Sequence, residues 1–125
     1  YSYCRLNCMQ PFEDYLPAAL TAQAQAKACG GLDDGEDALS LLFVSSLPWI
    51  NYAALRQPTP VPADSNPRLT WGRYGEENGK ILMPVTLLVN HALVDDSHIA
   101  QFYAALDEAL ARFSPAAASE LIPGK

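Results

Sequence analysis

Basic residues are scarce in this chain. Eight Lys and Arg stand against fourteen Asp and Glu, a net charge of −6. Nucleic acids and anionic membrane surfaces are bound through a basic face, so neither is expected as a partner. No apolar run reaches the ~18 residues of a membrane-spanning helix, and no signal-peptide pattern opens the sequence. The three cysteines, Cys4, Cys8 and Cys29, are odd in number and lack a CxxC spacing. That excludes a disulfide framework and a tetrahedral zinc set, and it fits reduced thiols in a cytoplasmic protein. With two histidines in total, a His-rich metal site is also excluded. There is no internal repeat and no G-x-S-x-G nucleophile elbow. The acidic run at 33–38 has its glycine third, not sixth as in a calcium loop, so it reads as a solvated turn.

What remains is one domain's worth of chain. Of 125 residues, 50% belong to the AVILMFWYC set and 18% are charged, enough apolar material for a core. Residues 1–8 alternate loosely and read as a short strand. Residues 12–28 place Phe12, Leu16, Ala19, Leu20, Gln23 and Ala26 near helical spacing. Pro17 starts or bends that helix, and Gly30 and Gly31 end it. Residues 40–46 suit a buried strand, stopped by Pro48. Four of the ten prolines fall in 57–67, a stiff extended connection. Residues 68–74 and 80–90 read as a hairpin around a turn at Gly75–Gly79. The second of these strands is apolar at almost every position and is expected to be buried on both faces, with Pro84 marking an edge or a bulge. Residues 97–113 form the clearest helix, with Ile99, Phe102, Leu106, Leu110 and Phe113 on one face. Asp95, Asp96 and Ser97 cap its start, Pro115 stops it, and a loose tail follows. The mixture of strands and helices gives an α/β or α+β class.

His91 is the residue to weigh for chemistry. It lies at a strand-to-helix junction, where ligand sites gather in α/β folds, and Asp95 and Asp96 follow it closely. A neutral imidazole there suits a general base, and it equally suits a satisfied structural histidine. Ser45 and Ser46 end a different strand, where a hydroxyl can donate to a developing oxyanion or simply cap a turn. Trp49, Trp71 and Tyr74 line a cleft or pack the core. His98 reads as structural.

Three segments carry a resemblance. Val44-Ser45-Ser46-Leu47-Pro48-Trp49-Ile50-Asn51-Tyr52 resembles the S-x-L-P-W-x-x-F region of chloramphenicol acetyltransferases. Leu69-Thr70-Trp71-Gly72-Arg73-Tyr74, with Leu82-Met83-Pro84-Val85 after a turn, resembles that family's next two strands. Val89-Asn90-His91-Ala92-Leu93-Val94-Asp95-Asp96-Ser97-His98 resembles its signature H-H-A-V-C-D-G-F-H. The three stand in the family's order, over residues 44–98.

The resemblance implies a two-layer sandwich of mixed sheet and helices, incomplete in this chain. It implies acetyl transfer from acetyl-CoA, as co-substrate, to a hydroxyl of chloramphenicol or another small alcohol, with no metal. By the same resemblance His91 is the base and Ser45 the oxyanion donor. Asp95 is structural, tied in the family to an arginine. Trp49, Thr70 and Tyr74 line the coenzyme channel. The family assembles as trimers with each site between two subunits, so a homotrimer is expected. Two positions depart from the signature: Asn90 replaces its first histidine and Asp96 its glycine. Family members are much longer, so residues 1–125 are expected to be the C-terminal part of a single domain whose N-terminal part lies in another chain or segment. Two rival readings remain: the acyltransferase core of 2-oxoacid dehydrogenase complexes, which shares H-x-x-x-D-G, and a degenerate trimeric binding protein. The S-x-L-P-W segment favours the acetyltransferase over the first.

Overall fold

The computed structural model describes residues 2–30 and 38–113, in two compact units. One comprises the described residues of 1–36 and 108–125, the other those of 37–107. The acidic run at 33–38 falls outside the described residues except at its last position, and the tail after Phe113 falls outside them altogether.

The first unit holds helix α1, Phe12–Cys29. Alanine-rich sequence favours it. Glu13 and Asp14 in the first turn and Lys27 in the last complement its dipole. Pro17 lies inside the helix rather than at its start. A proline there removes one backbone donor, and the Thr21 hydroxyl donates to the Pro17 carbonyl at 3.0 Å. Gly30 ends the helix at φ 66°, a backbone conformation that glycine adopts without strain. The strand expected over 1–8 does not form: residues 2–7 are irregular. Tyr1 and Tyr3 suggest the alternation in sequence, but among the described residues no strand is paired with this segment, and alternation alone does not make a strand. Phe12 meets Phe113 edge-on, with ring centroids 5.1 Å apart and planes at 88°.

The second unit is built on strands. A short 3₁₀ turn at Ala38–Ser40 leads to β1 (Phe43–Leu47), then β2 (Arg68–Gly72), β3 (Gly75–Glu77), β4 (Lys80–Leu82) and β5 (Val85–Leu88), before helix α2 (Asp96–Arg112), whose residues from Glu108 on are counted with the first unit. The main sheet has the order β1-β2-β5. β1 pairs parallel with β2, and β2 antiparallel with β5, so the sheet is mixed and the class α+β, as expected. Residues 48–67 supply the long connection that a parallel pair requires. β3 and β4 make a separate two-stranded ribbon closed by Asn78 (φ 53°) and Gly79 (φ 73°). That pair of left-handed residues is the turn a two-residue hairpin favours. The long strand expected over 80–90 is therefore two strands, parted at Met83 and Pro84. Nor is it buried on both faces: β4 is exposed and β5 half-buried, because β5 is a sheet edge.

Register puts Ser45, Thr70 and Thr86 in one row across the sheet, and residues directly opposite share a face. Thr70, in the central strand, is 1% exposed. The chain after β1 folds over this face. The Tyr52 hydroxyl donates to the Thr70 carbonyl at 2.9 Å and accepts from the Thr86 hydroxyl at 3.2 Å. Gln57 Nε2 donates to Thr70 Oγ1 at 2.8 Å, leaving its buried Oε1 without a partner among the described residues. Beside this row, Gly72 has no room for a side chain. A Cβ there would lie 2.6 Å from the Ile50 carbonyl oxygen, 2.8 Å from Pro84 Cγ and 2.9 Å from Tyr52 Cε1. Gly72→Ala is expected to destabilise the protein by about 1–3 kcal/mol, the usual cost of overpacking. Urea unfolding measures it, and an unchanged midpoint would mean that Tyr52 does not sit against the strand.

Candidate functional site

β5 delivers the chain to His91. After Leu88 the backbone leaves the sheet, and residues 91–93 turn into α2. Asn90 begins that turn. Its carbonyl accepts from the backbone N–H of Leu93 at 2.9 Å and of Val94 at 3.1 Å. Its side-chain Oδ1 accepts from the Ala92 N–H at 3.0 Å, a local bond that asparagine side chains make readily in turns. Its Nδ2 donates to the Asp64 carbonyl at 3.0 Å. His91 is thereby presented outward and exposed, at the rim of a cleft of about 200 Å³ that also takes in Asp64, Asn66, Arg68 and Asn90.

The floor of this cleft is polar and firmly tied. Arg68 meets both oxygens of Asp64 through Nη1 (2.8 Å) and Nη2 (2.5 Å), the bidentate geometry natural to a guanidinium. The hydrogen bonds from Arg68 hold the Asp64 carboxyl below the usual carboxylate range. Asn66, 5% exposed, donates to the Leu41 carbonyl at 2.8 Å. Neither Asp64, Asn66 nor Arg68 stood out in the sequence. The signal available was an aspartate four residues before an arginine, which without a helix says nothing about contact.

Asp95 is the cap of α2. Its Oδ1 accepts from the Ser97 N–H (2.9 Å), the Ser97 hydroxyl (2.6 Å) and the His98 N–H (3.2 Å), with His98 Nδ1 at 3.0 Å. Of the three residues expected to cap the helix, Asp95 does so, whereas Asp96 and Ser97 already lie in its first turn. Hydrogen bonding by Ser97, then by the His98 backbone, holds the Asp95 carboxyl below its ordinary value of 3.8.

The remaining predicted residues lie elsewhere. Ser45 is exposed on the edge strand β1. Trp49 and Tyr74 are 78% and 69% exposed, whereas Thr70 between them in sequence is sealed in. Ser45 stands on β1 and His91 follows β5, the two edge strands of the three-stranded sheet, with β2 between them. Two features escaped the sequence reading: Tyr52 and Gln57, the side chains that cover Thr70. Among the described residues no three His, Cys, Asp or Glu side chains come together as metal ligands, and no helix is long and apolar enough to cross a membrane.

The family model described as chloramphenicol acetyltransferase matches residues 11–107. The chain is 35% identical over 72 residues to a chloramphenicol acetyltransferase of Clostridium perfringens, covering 55% of this chain and 32% of that protein. To chloramphenicol acetyltransferase 3 of Escherichia coli it is 32% identical over 68 residues, covering 54% of this chain and 32% of the relative. To the Bacillus pumilus protein of that name it is 37% identical over 64 residues, covering 50% and 29%. The matched stretch thus spans about a third of the length of these relatives.

The cap at Asp95 makes a pH prediction. Its carboxylate is favoured in the folded state, so its contribution is present above the ordinary value of 3.8 and is lost as pH falls below that value. Asp95→Ala is expected to lower Tm at pH 7 and to flatten the fall in Tm between about pH 5 and pH 3, whereas Asp95→Asn, which can still cap, keeps most of the neutral-pH Tm. Thermal melts across that range check it, and an Asp95→Ala melt identical to wild type at pH 7 would remove the cap from the account.

Proposed function

This chain belongs to the chloramphenicol acetyltransferase family, and on that premise we propose that it carries the histidine half and the hydroxyl half of an acetyl-CoA-dependent O-acetyltransferase site, joined only between two copies. The observation that carries the proposal is the separation within one chain. His91 stands exposed at the end of β5, and Ser45 stands exposed on the far edge of the same sheet. With the two side chains carried at opposite edges of one copy's sheet, the reading has His91 of one copy face Ser45 of another. A trimer closes such a head-to-tail contact into a ring.

In this reading His91 takes the proton from the acceptor hydroxyl as the oxygen attacks the thioester carbonyl of acetyl-CoA. The carbonyl becomes a tetrahedral oxyanion, and the Ser45 hydroxyl donates to it. Collapse breaks the C–S bond, and the leaving thiolate takes the proton back from the imidazolium. A well-placed general base contributes about 10²–10⁴-fold and one oxyanion donor about 10²–10³-fold. No acyl-enzyme is needed, since holding thioester and alcohol together makes the step effectively unimolecular. Asp95 supports the site by fixing the helix that follows the His91 turn. Trp49 and Tyr74, exposed and aromatic, are suited to an adenine or pantetheine surface. Thr70, buried in the central strand, supports the sheet rather than touching the coenzyme. The acceptor is chloramphenicol or another small alcohol, and the protein works in the cytoplasm.

The test is an acetyl-CoA turnover assay on the full-length protein, reading release of free thiol with chloramphenicol as acceptor. His91→Ala is expected to abolish release, and Ser45→Ala to slow it roughly 10²-fold. Mixing the two variants under conditions that exchange subunits is expected to raise turnover above that of either alone, because some sites then pair an intact His91 with an intact Ser45. Wild-type turnover in His91→Ala would end the reading of it as base, and failure of exchanged mixtures to recover would end the shared site. A rise in Tm with acetyl-CoA but no turnover with any alcohol would favour a binding protein that keeps the fold.

A further inference from the structure

The His91 ring makes no hydrogen bond among the described residues, so its aim depends on the backbone that carries it. That backbone is held from one side by a single side chain. Asn90 Oδ1 takes the N–H of Ala92, which brackets His91 between the two residues. Asn90 Nδ2 then ties the bracket to the Asp64 carbonyl at 3.0 Å. Asp64 itself sits in a connection without regular structure, and a loop carbonyl is a poor anchor unless the loop is fixed. Arg68 fixes it. The guanidinium grips both carboxylate oxygens of Asp64 and also donates to the Asn66 carbonyl at 3.2 Å. Arg68 in turn opens strand β2, pairs in register with Phe43 and Leu88, and lies over the Phe43 ring at 5.5 Å. Asn90 stands at the position where the family signature has its first histidine.

We infer that Arg68, Asp64 and Asn90 form a positioning relay, running from the central strand through a pinned loop to the turn, that sets the orientation of His91. None of the three is a catalytic residue in this account; each acts through the next. The catalytic part of the inference rests on His91 being the base, and the geometric part does not. A geometric shift of about 1 Å at a reacting group can cost on the order of 10²-fold, so loosening the turn should be felt in the rate of the chemical step rather than in binding.

Three single variants and one double variant of the full-length protein, with one spectroscopic reading, test this. Asn90→Ala cuts the relay and is expected to lower kcat roughly 10- to 100-fold, with KM for acetyl-CoA little changed. Asn90→Asp keeps the acceptor for Ala92 but has no donor for the Asp64 carbonyl, so it is expected to stay slow. Arg68→Lys keeps the charge but loses the fork, and is expected to slow kcat less than Asn90→Ala. Combined with Asn90→Ala it should add no further loss, because residues acting in series are not additive. Recovery of wild-type kcat in Asn90→Asp, or fully additive losses in the double variant, would overturn the relay.

The spectroscopic arm uses histidine labelled with ¹³C, with His98 as internal reference. The His91 ring resonances are expected to shift or broaden in Asn90→Ala and in Arg68→Lys while those of His98 stay in place. This arm decides even if His91→Ala proves fully active, and the conservative Arg68→Lys decides if Asn90→Ala does not fold. An unmoved His91 signal in a folded Arg68→Lys protein would overturn the relay whatever the fate of the catalytic reading.

Discussion

Thr70 places a hydroxyl in the middle of a three-stranded sheet, and the second unit is organised around satisfying it. A buried polar group left without a partner costs about 1–3 kcal/mol, a sizeable part of the roughly 5–15 kcal/mol that holds a domain folded. Gln57 meets the hydroxyl, and Tyr52 meets the carbonyl of the same residue while accepting from Thr86. Both come from the stretch that follows β1, so solving the problem at Thr70 draws that stretch across the sheet. Once Tyr52 lies there, the strand beneath it needs a residue with no side chain, and Gly72 supplies it.

The same economy governs the other end of the sheet. Arg68 lies two residues from Thr70, on the same face of β2, and it too spends its hydrogen bonds on an irregular loop. The first row of the sheet thus anchors 64–66, and the second anchors 52–57. Between β1 and β2 the polypeptide has almost no regular structure, yet it is tied down at two points by side chains from β2 and its neighbours. That explains how a proline-rich connection can form one wall of the cleft beside His91. Proline limits the backbone conformations of the unfolded chain, and the two polar anchors choose among those that remain.

Local signals in the sequence were read well where one element is self-contained. The caps before α2, the punctuation after α1 and the break at Pro84 are all written in adjacent residues. The strand expected at 1–8 fails because alternation describes a face without providing a neighbour to pair with. The overestimate at 80–90 has a related cause: an apolar run reports that a strand can be covered, while coverage depends on what lies beside it. Motif order singles out His91, Ser45 and Asp95, and of the three only Asp95 has a structural part, the helix cap, that adjacent residues announce. Asp64, Arg68, Tyr52 and Gln57 were missed because their partners are distant in sequence or are backbone atoms, and neither leaves a trace in spacing. That Ser45 and His91 belong to opposite edges of the sheet was likewise invisible, since motifs give order along a chain and not position across a sheet.

The β3–β4 ribbon stands apart from these dependencies. Among the described residues its strands pair only with each other, its residues from Glu76 to Leu82 are exposed, and its turn is made by Asn78 and Gly79. Exposed tips of this kind tolerate added chain best. The ribbon is therefore the natural seam of the unit: a place to graft an epitope, a fluorophore or a crystallisation handle while the strands carrying Thr70 and Arg68 keep their register.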